Sequence, residues 1–104
     1  MNESDWKIFK QIKDLAIEKY CSLTLDEAND IISGERESSH ETYLYLYKTL
    51  QNRDKHLAVM FEGHSRSKAW LQLIAMRKEG LAEQSLLDKL SDEFRIKTDP
   101  TKLW

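Results

Sequence analysis

The sequence predicts an all-α fold, a compact bundle of about five helices with a long central helix at about 39–62. The chain has 104 residues but only three glycines and one proline, and so few turn residues favour a small number of long elements. Apolar residues recur at three- and four-residue spacing along most of the chain, which is the pattern of amphipathic helices. Length and pattern together predict a single all-α domain over 1–104, with a short flexible tail at about 98–104.

The first third of the chain carries signals for two helices. Ser4 is a favourable N-cap for a helix at about 5–21, whose apolar stripe opens with Trp6. The residues from Thr24 to Glu27 have the pattern of a capping box, in which two side chains satisfy each other's exposed backbone N–H groups. This pattern predicts a short second helix at about 25–33, which Gly34 is expected to end in a left-handed conformation.

The central helix is predicted to begin at a second capping box, formed by Ser38 and Glu41. The segment from Tyr43 to Tyr47 alternates between tyrosine and leucine, which by itself would favour a strand. A helix is favoured because a cap precedes the segment, no turn residue follows until Gly63, and helical spacing continues throughout. The predicted core spine of this helix consists of Tyr43, Leu50 and Leu57.

The last third of the chain predicts shorter helices. Ser65 is the expected N-cap of a helix that runs to about residue 79, and Gly80 is expected to close it as a left-handed cap. A leucine-rich segment predicts a further helix at 81–90. Ser91 can cap one more helical turn. The side chains expected to pack from that turn are Phe94 and Ile96.

Composition excludes several classes of protein. With 16 basic and 18 acidic residues the net charge is −2, so no global polycation exists to drive non-specific binding to nucleic acid. The single cysteine, Cys21, excludes an internal disulfide and a zinc site of several cysteines. No run of about 18 apolar residues and no apolar leader is found. We therefore expect a cytoplasmic protein without membrane contact, cofactor or metal.

A gap in the apolar stripe of the central helix marks one candidate ligand site. Arg53 and Asp54 stand where the spacing of the stripe calls for apolar residues. A buried charge is costly unless it is paired. Either one of these side chains meets an opposite charge from another helix, or the stripe opens there onto water, a cleft or a partner. In the second case Arg53 would bind an anionic ligand, because a guanidinium suits carboxylate or phosphate groups.

The start of the fourth predicted helix is a second candidate site. His64, Arg66, Ser67 and Lys68 place basic groups where a helix N-terminus already carries partial positive charge. This arrangement is unfavourable unless an anion compensates. The anion can belong to the protein itself, or it can be a bound phosphate or nucleic acid. The second interpretation is the alternative function, although no glycine-rich phosphate loop is present.

Catalytic chemistry has the least support. His40 and His56 lie 16 residues apart, which places them on nearly opposite faces of one helix, so they cannot share a metal ion. A small hydrolase-like enzyme would need Glu62, His64 and Arg53 to converge, and Arg53 and Glu62 are about 13 Å apart along a helix. No catalytic residue is assigned.

Surplus apolar surface on the central helix is either covered by one of the first two helices or forms a contact surface for a partner. Leu44 and Tyr45 lie beside the predicted core stripe, and the chain ends in Trp104. Tyrosine is rigid, large and amphipathic, which suits it to interfaces. The leading hypothesis is a small soluble helical protein that acts as an interaction or regulatory module. It would bind another protein or self-associate as a homodimer through these residues.

Overall fold

The computed structural model describes residues 1–102. Five α-helices and a short 3₁₀ segment make up this part of the chain, which contains no strand, so the all-α prediction is confirmed. The 3₁₀ segment spans Pro100–Lys102. Trp104, a predicted partner-binding residue, lies outside the described residues. The helices are α1 (Glu3–Ser33), α2 (Ser39–Phe61), α3 (Arg66–Lys78), α4 (Gln84–Leu87) and α5 (Asp92–Lys97).

The first two predicted helices are a single helix. α1 runs unbroken for 31 residues, so the predicted capping box at Thr24 does not form and Thr24 lies within the helix. The segment between Tyr20 and Gly34 contains no glycine or proline, and continuing the helix keeps every backbone hydrogen bond that a break would lose. Gly34 has φ −72°, so the prediction of a left-handed conformation there is wrong.

α2 begins and ends close to the predicted bounds of the central helix. The Ser38 Oγ accepts a hydrogen bond from the Glu41 N–H at 3.1 Å, which is the predicted N-terminal cap. α1, with its 31 residues, is nevertheless the longest helix of the described chain, and α2 folds back beside it after a five-residue connection. The two helices form a long antiparallel hairpin.

The hydrophobic core lies at one end of this hairpin. α3 crosses both helices there, and the segment from Leu81 to Phe94 closes the core from the side. The fully buried side chains from α1 reach only as far as Ala16. The buried core residues are Trp6, Phe9, Ile12, Ala16, Met60, Phe61, Ala69, Leu73, Met76, Leu81, Leu86, Leu87, Leu90 and Phe94.

The molecule is elongated, which corrects the prediction of a compact bundle. Its principal extents are 53 × 27 × 23 Å, and its radius of gyration is 16.7 Å, where a compact chain of this length would have about 13 Å. We call the core-bearing end the head. We call the projecting part of the hairpin, residues 21–33 of α1 with 39–54 of α2, the arm.

The predicted core spine of α2 is wrong in the arm. Tyr43 and Leu50 are exposed, and Leu57, at the edge of the head, is only partly buried. The buried residues of α2 are Met60 and Phe61, at its C-terminal end. α3 is 13 residues long and packs only against the head end of the hairpin, so no element within residues 1–102 covers this side of the arm.

The C-terminal third keeps its predicted caps but not all of its predicted helices. Gly80 has φ +71°, so the left-handed cap is confirmed, and the Leu81 N–H donates to the Met76 carbonyl at 2.8 Å. That turn draws Leu81 into the core in a non-helical conformation. The predicted helix at 81–90 is therefore reduced to the four residues of α4, although its leucines 86, 87 and 90 are buried.

Thr98, at which the predicted tail starts, packs into the head. Thr98 is completely buried. Its Oγ1 donates to the Phe94 carbonyl at 2.8 Å and accepts a hydrogen bond from the Arg77 guanidinium at 3.0 Å. Ser91 caps α5 as predicted, accepting from the Phe94 N–H, and Phe94 is buried. Ile96, which was also expected to pack, is exposed because it lies on the opposite side of this short helix.

Candidate functional site

The two helices of the arm are held together by a thin seam. Ala28 and Ile31 are the buried apolar side chains that α1 contributes there. Thr42, Leu46 and Thr49 of α2 are half-buried opposite them. The seam therefore buries much less apolar surface than the head, and polar contacts contribute to holding the helices side by side.

An ion pair anchors the seam at the base of the arm. The Arg53 guanidinium donates two hydrogen bonds to the Glu27 carboxylate, at 2.8 and 2.9 Å. These bonds lower the pKa of Glu27 below its ordinary value. The Tyr20 hydroxyl donates to the Arg53 carbonyl at 2.8 Å. Of the two alternatives for the gap in the apolar stripe, Arg53 therefore takes the ion pair between helices, while Asp54 remains exposed.

One side of the arm carries a row of exposed apolar side chains on each helix, which we together call the tyrosine face. Leu25 and Ile32 are seven residues apart on α1, and Tyr43, Tyr47 and Leu50 repeat at spacings of four and three on α2, so each set shares one helix side. The two sets lie on the same side of the hairpin, because Leu25 and Leu50 line the same groove. The five side chains are 41–63% exposed.

The tyrosines of this face are ordered by their neighbours. The rings of Tyr43 and Tyr47 stack with centroids 6.2 Å apart and planes 11° from parallel. The Gln51 side-chain amide donates to the Tyr47 hydroxyl at 2.9 Å. These contacts fix the rings before any partner arrives, so binding through them would lose little side-chain entropy.

A groove of about 420 Å³ lies at the head end of the tyrosine face. Its apolar lining comes from Cys21, Leu25, Leu50 and Leu57. Arg53 also lines the groove but is paired with Glu27, so Asp54 is the unpaired charge among the lining side chains. The tyrosine face is thus apolar over most of its length and carries a carboxylate near the head.

The surface predicted from sequence, Leu44 and Tyr45, lies elsewhere on α2. Tyr45 is two residues from both Tyr43 and Tyr47, about 200° around the helix, so it points to the other side of the arm. The Arg36 guanidinium covers the Tyr45 ring at 4.2 Å from its centroid. Leu44 is exposed on the back of α2. Sequence reasoning missed Tyr43 and Tyr47 because their helical spacing assigned them to the core.

The basic start of α3 is largely occupied by the protein itself. Arg66 forms an ion pair with Glu3 and lies over the Trp6 ring at 5.3 Å from its centroid. The Ser67 hydroxyl lies 3.3 Å from the hydroxyl of Ser65, which occupies the N-cap position without a capping hydrogen bond. Lys68 is exposed at the end of a groove between α2 and α3. Arg66 and Ser67, two of the four predicted ligand residues, thus have partners from this chain, and His64 is the third.

His64 lies against aromatic rings of α1. Its ring centroid is 4.6 Å from that of Trp6 and 6.4 Å from that of Phe9. The preceding Gly63 has φ +80°, and its carbonyl accepts a hydrogen bond from the buried Lys13 ammonium at 2.8 Å. His64 remains exposed, but partial desolvation beside these rings lowers its pKa from the ordinary 6.5, and the charges of Lys13 and Lys10 lower it further.

Comparison with known proteins adds no assignment. No family model, curated protein or solved structure matches this chain. Within residues 1–102, no group of three or more His, Cys, Asp or Glu side chains is arranged to hold a metal ion. No helix in that part of the chain combines the length and the hydropathy that a membrane span requires. Function is therefore inferred from the geometry of the arm and of the basic start of α3.

The position of His64 predicts a pH dependence of stability. Because its pKa is lower in the folded than in the unfolded chain, the unfolded chain binds the proton first as the pH falls below 6.5. Stability should therefore decrease from pH 7 to about pH 5, above the range in which carboxylates titrate. Thermal unfolding at several pH values measures this. His64→Phe, which keeps an aromatic ring beside Trp6, should flatten the profile, and an unchanged slope in this variant would contradict the assignment.

Proposed function

We propose that this chain is a protein–protein interaction module that docks its partner through the tyrosine face of the arm. One observation carries the proposal: five large apolar side chains stand 41–63% exposed on one side of a projecting hairpin. Together they expose on the order of 500 Å² of side-chain surface. The largest apolar patch on a typical monomer has about 300–600 Å², and such a patch is often functional.

The chemistry of the tyrosine face favours a protein partner over the alternatives. None of its five side chains is charged, and Asp54, the unpaired charge beside it, is acidic. A surface that binds nucleic acid needs lysine and arginine to neutralise phosphates, and an anionic membrane surface makes the same demand. Stacked tyrosines beside leucine and isoleucine instead resemble the buried centre of a protein interface.

The alternative, nucleic-acid or phosphate binding at the start of α3, has less support. Arg66 is engaged by Glu3, and His64 is stacked on Trp6, so an incoming phosphate would have to displace contacts that exist within the chain. Titrating labelled duplex DNA at two salt concentrations distinguishes the two proposals. Under the interaction proposal, Arg66→Ala with Lys68→Ala should leave any residual DNA binding unchanged.

Site-specific photo-crosslinking in cells tests the proposal. A photoreactive phenylalanine analogue replaces Tyr47 in one variant and Tyr45 in a second, since both side chains are 51% exposed but lie on different sides of α2. A third variant carries the analogue at Lys89, which is exposed on the head. We expect a discrete protein adduct from position 47, and none from position 89.

The three positions separate the outcomes. An adduct from position 45 with none from 47 would move the interface to the surface that the sequence alone predicted. The proposal would be overturned if neither position 47 nor a further variant at Tyr43 gave an adduct. Circular dichroism of each variant confirms folding first, and the exposure of all four positions makes loss of the fold an unexpected result.

A further inference from the structure

We propose that the partner of the tyrosine face is a second copy of this chain, so that two arms pack face to face as an antiparallel four-helix bundle. This inference rests on the function proposed above and specifies its partner. The two heads lie at opposite ends of the assembly. The pairing is isologous, with a two-fold axis perpendicular to the arms that passes through the centre of each tyrosine face.

The head leaves the tyrosine face open to a second arm. The Lys19 ammonium donates to the Gly80 carbonyl at 2.9 Å, and Leu23 shares a cleft with Leu81, so the end of α3 and the following turn meet α1 on one side. Leu25 is two residues from Leu23, about 200° around α1, and so faces away from these contacts. The head is therefore attached on the side opposite the tyrosine face.

The apolar residues of this face match their own images under the proposed axis. On α2 they run from Tyr43 to Leu50, with Tyr47 near the middle, and on α1 they run from Leu25 to Ile32. Rotation about a central axis packs α2 of one copy against α2 of the other, and α1 against α1, with the paired helices running in opposite directions. Tyr47 then meets its own image, Tyr43 meets Leu50 of the second copy, and Leu25 meets Ile32 of the second copy.

Charge selects the antiparallel arrangement over the parallel one. Asp54 lines the groove at the head end of the face. With parallel arms, both heads would lie at one end, and so would the Asp54 carboxylates of the two chains. With antiparallel arms these carboxylates are separated to opposite ends, and the uncharged centre forms the contact. Like charges in contact are disfavoured, so the antiparallel arrangement is preferred.

The area of the face fits a weak, reversible dimer. Two copies would remove on the order of 1,000 Å² from water, which is at the lower end of specific interfaces. All adjacent helices of the resulting bundle are antiparallel, as in four-helix bundles with short loops. We therefore expect a monomer–dimer equilibrium that depends on protein concentration.

Sedimentation velocity over a range of concentrations, with small-angle X-ray scattering at the highest, provides the first measurement. We expect species of 12.3 kDa and twice that mass. Because only about 20 Å of arm would overlap, the antiparallel dimer should be about 86 Å long, compared with 53 Å for one chain. A dimer that is no longer than one chain would overturn the antiparallel arrangement.

A charge-pair rescue at Tyr47 tests the two-fold axis. Tyr47→Arg and Tyr47→Asp each place like charges at the centre of the interface, and each should raise the dimer dissociation constant at least about tenfold. Mixing the two variants should restore a dimer, because position 47 of one chain meets position 47 of the other. Tyr45→Arg, on the other side of α2, is the matched control and should leave the dissociation constant unchanged.

The results separate this inference from the function on which it rests. A chain that stays monomeric at all concentrations, while position 47 photo-crosslinks to a protein of different mass, overturns self-pairing and leaves the interaction module standing. A dimer that Tyr47→Arg does not weaken overturns the proposed interface. Photo-crosslinked adducts of twice the chain mass from position 47, together with rescue by the mixed variants, support self-pairing.

Discussion

Leu73→Ala is expected to lower the free energy of unfolding by about 2–5 kcal/mol, the cost of removing buried methyl groups and leaving a cavity. Leu73 lies in α3 with none of its surface exposed, within the core cluster that contains Phe9, Ile12 and Met76. α3 is the element that joins both helices of the hairpin in the head, so a cavity there weakens the packing of the whole core. Urea denaturation followed by far-ultraviolet circular dichroism measures the change.

Leu50→Ala is the matched control for this prediction. It makes the same chemical change on α2, at a position that is 41% exposed and that helical spacing had assigned to the core. We expect the free energy of unfolding to fall by less than about 1 kcal/mol, measured at a protein concentration low enough to keep the chain monomeric. If Leu50→Ala costs as much as Leu73→Ala, then the arm is covered within the chain and the tyrosine face is not a free surface.

Asp5→Ala is expected to have the second large effect, a loss of about 2–4 kcal/mol in the free energy of unfolding, because it removes the charged acceptor of two hydrogen bonds from the half-buried Ser91. The Asp5 carboxylate is 3% exposed and accepts hydrogen bonds from the Ser91 backbone N–H at 2.8 Å and from the Ser91 hydroxyl at 2.6 Å. These bonds tie the first turn of α1 to the start of α5, 86 residues later. They also hold Ser91 where its Oγ caps the Phe94 N–H.

Two further variants serve as controls for the Asp5 prediction. Asp5→Asn keeps the size of the side chain and one oxygen acceptor, so it should lower the free energy of unfolding by less than Asp5→Ala does. Asp14→Ala removes an exposed carboxylate from the same helix and should stay within about 0.5 kcal/mol of the wild type. Equal losses from Asp5→Ala and Asp14→Ala would show that the contact with Ser91 does not stabilise the fold.

Local chemistry explains which features of the fold could be predicted. The caps at Ser38, Gly80 and Ser91 depend on residues within a few positions of each other, and all three form as the sequence predicts. The capping box at Thr24 is equally local but does not form, because its residues also fit a helix interior. No glycine or proline interrupts the chain there, so the longer helix is favoured.

The candidate site could be predicted only in part. Sequence reasoning identified a tyrosine-rich stretch of α2 as surplus apolar surface, but it selected Tyr45 and assigned Tyr43 to the core. Apolar spacing shows which residues share a side of a helix, but it does not show whether another element covers that side. The partner of Arg53 was likewise beyond local reasoning, since Glu27 lies 26 residues earlier on a different helix.

The sequence by itself determined the all-α class, the bounds of α2 and the caps that begin or end three helices, because neighbouring residues set backbone hydrogen bonding. Only the tertiary structure decided which apolar stripe is buried. α3 has 13 residues and α1 has 31, so in the described part of the chain the short helix covers the head and leaves the arm without a third layer. The same helical spacing therefore produces a core at Met60 and Phe61 and an exposed face at Tyr43 and Tyr47, because burial requires a packing element opposite the stripe.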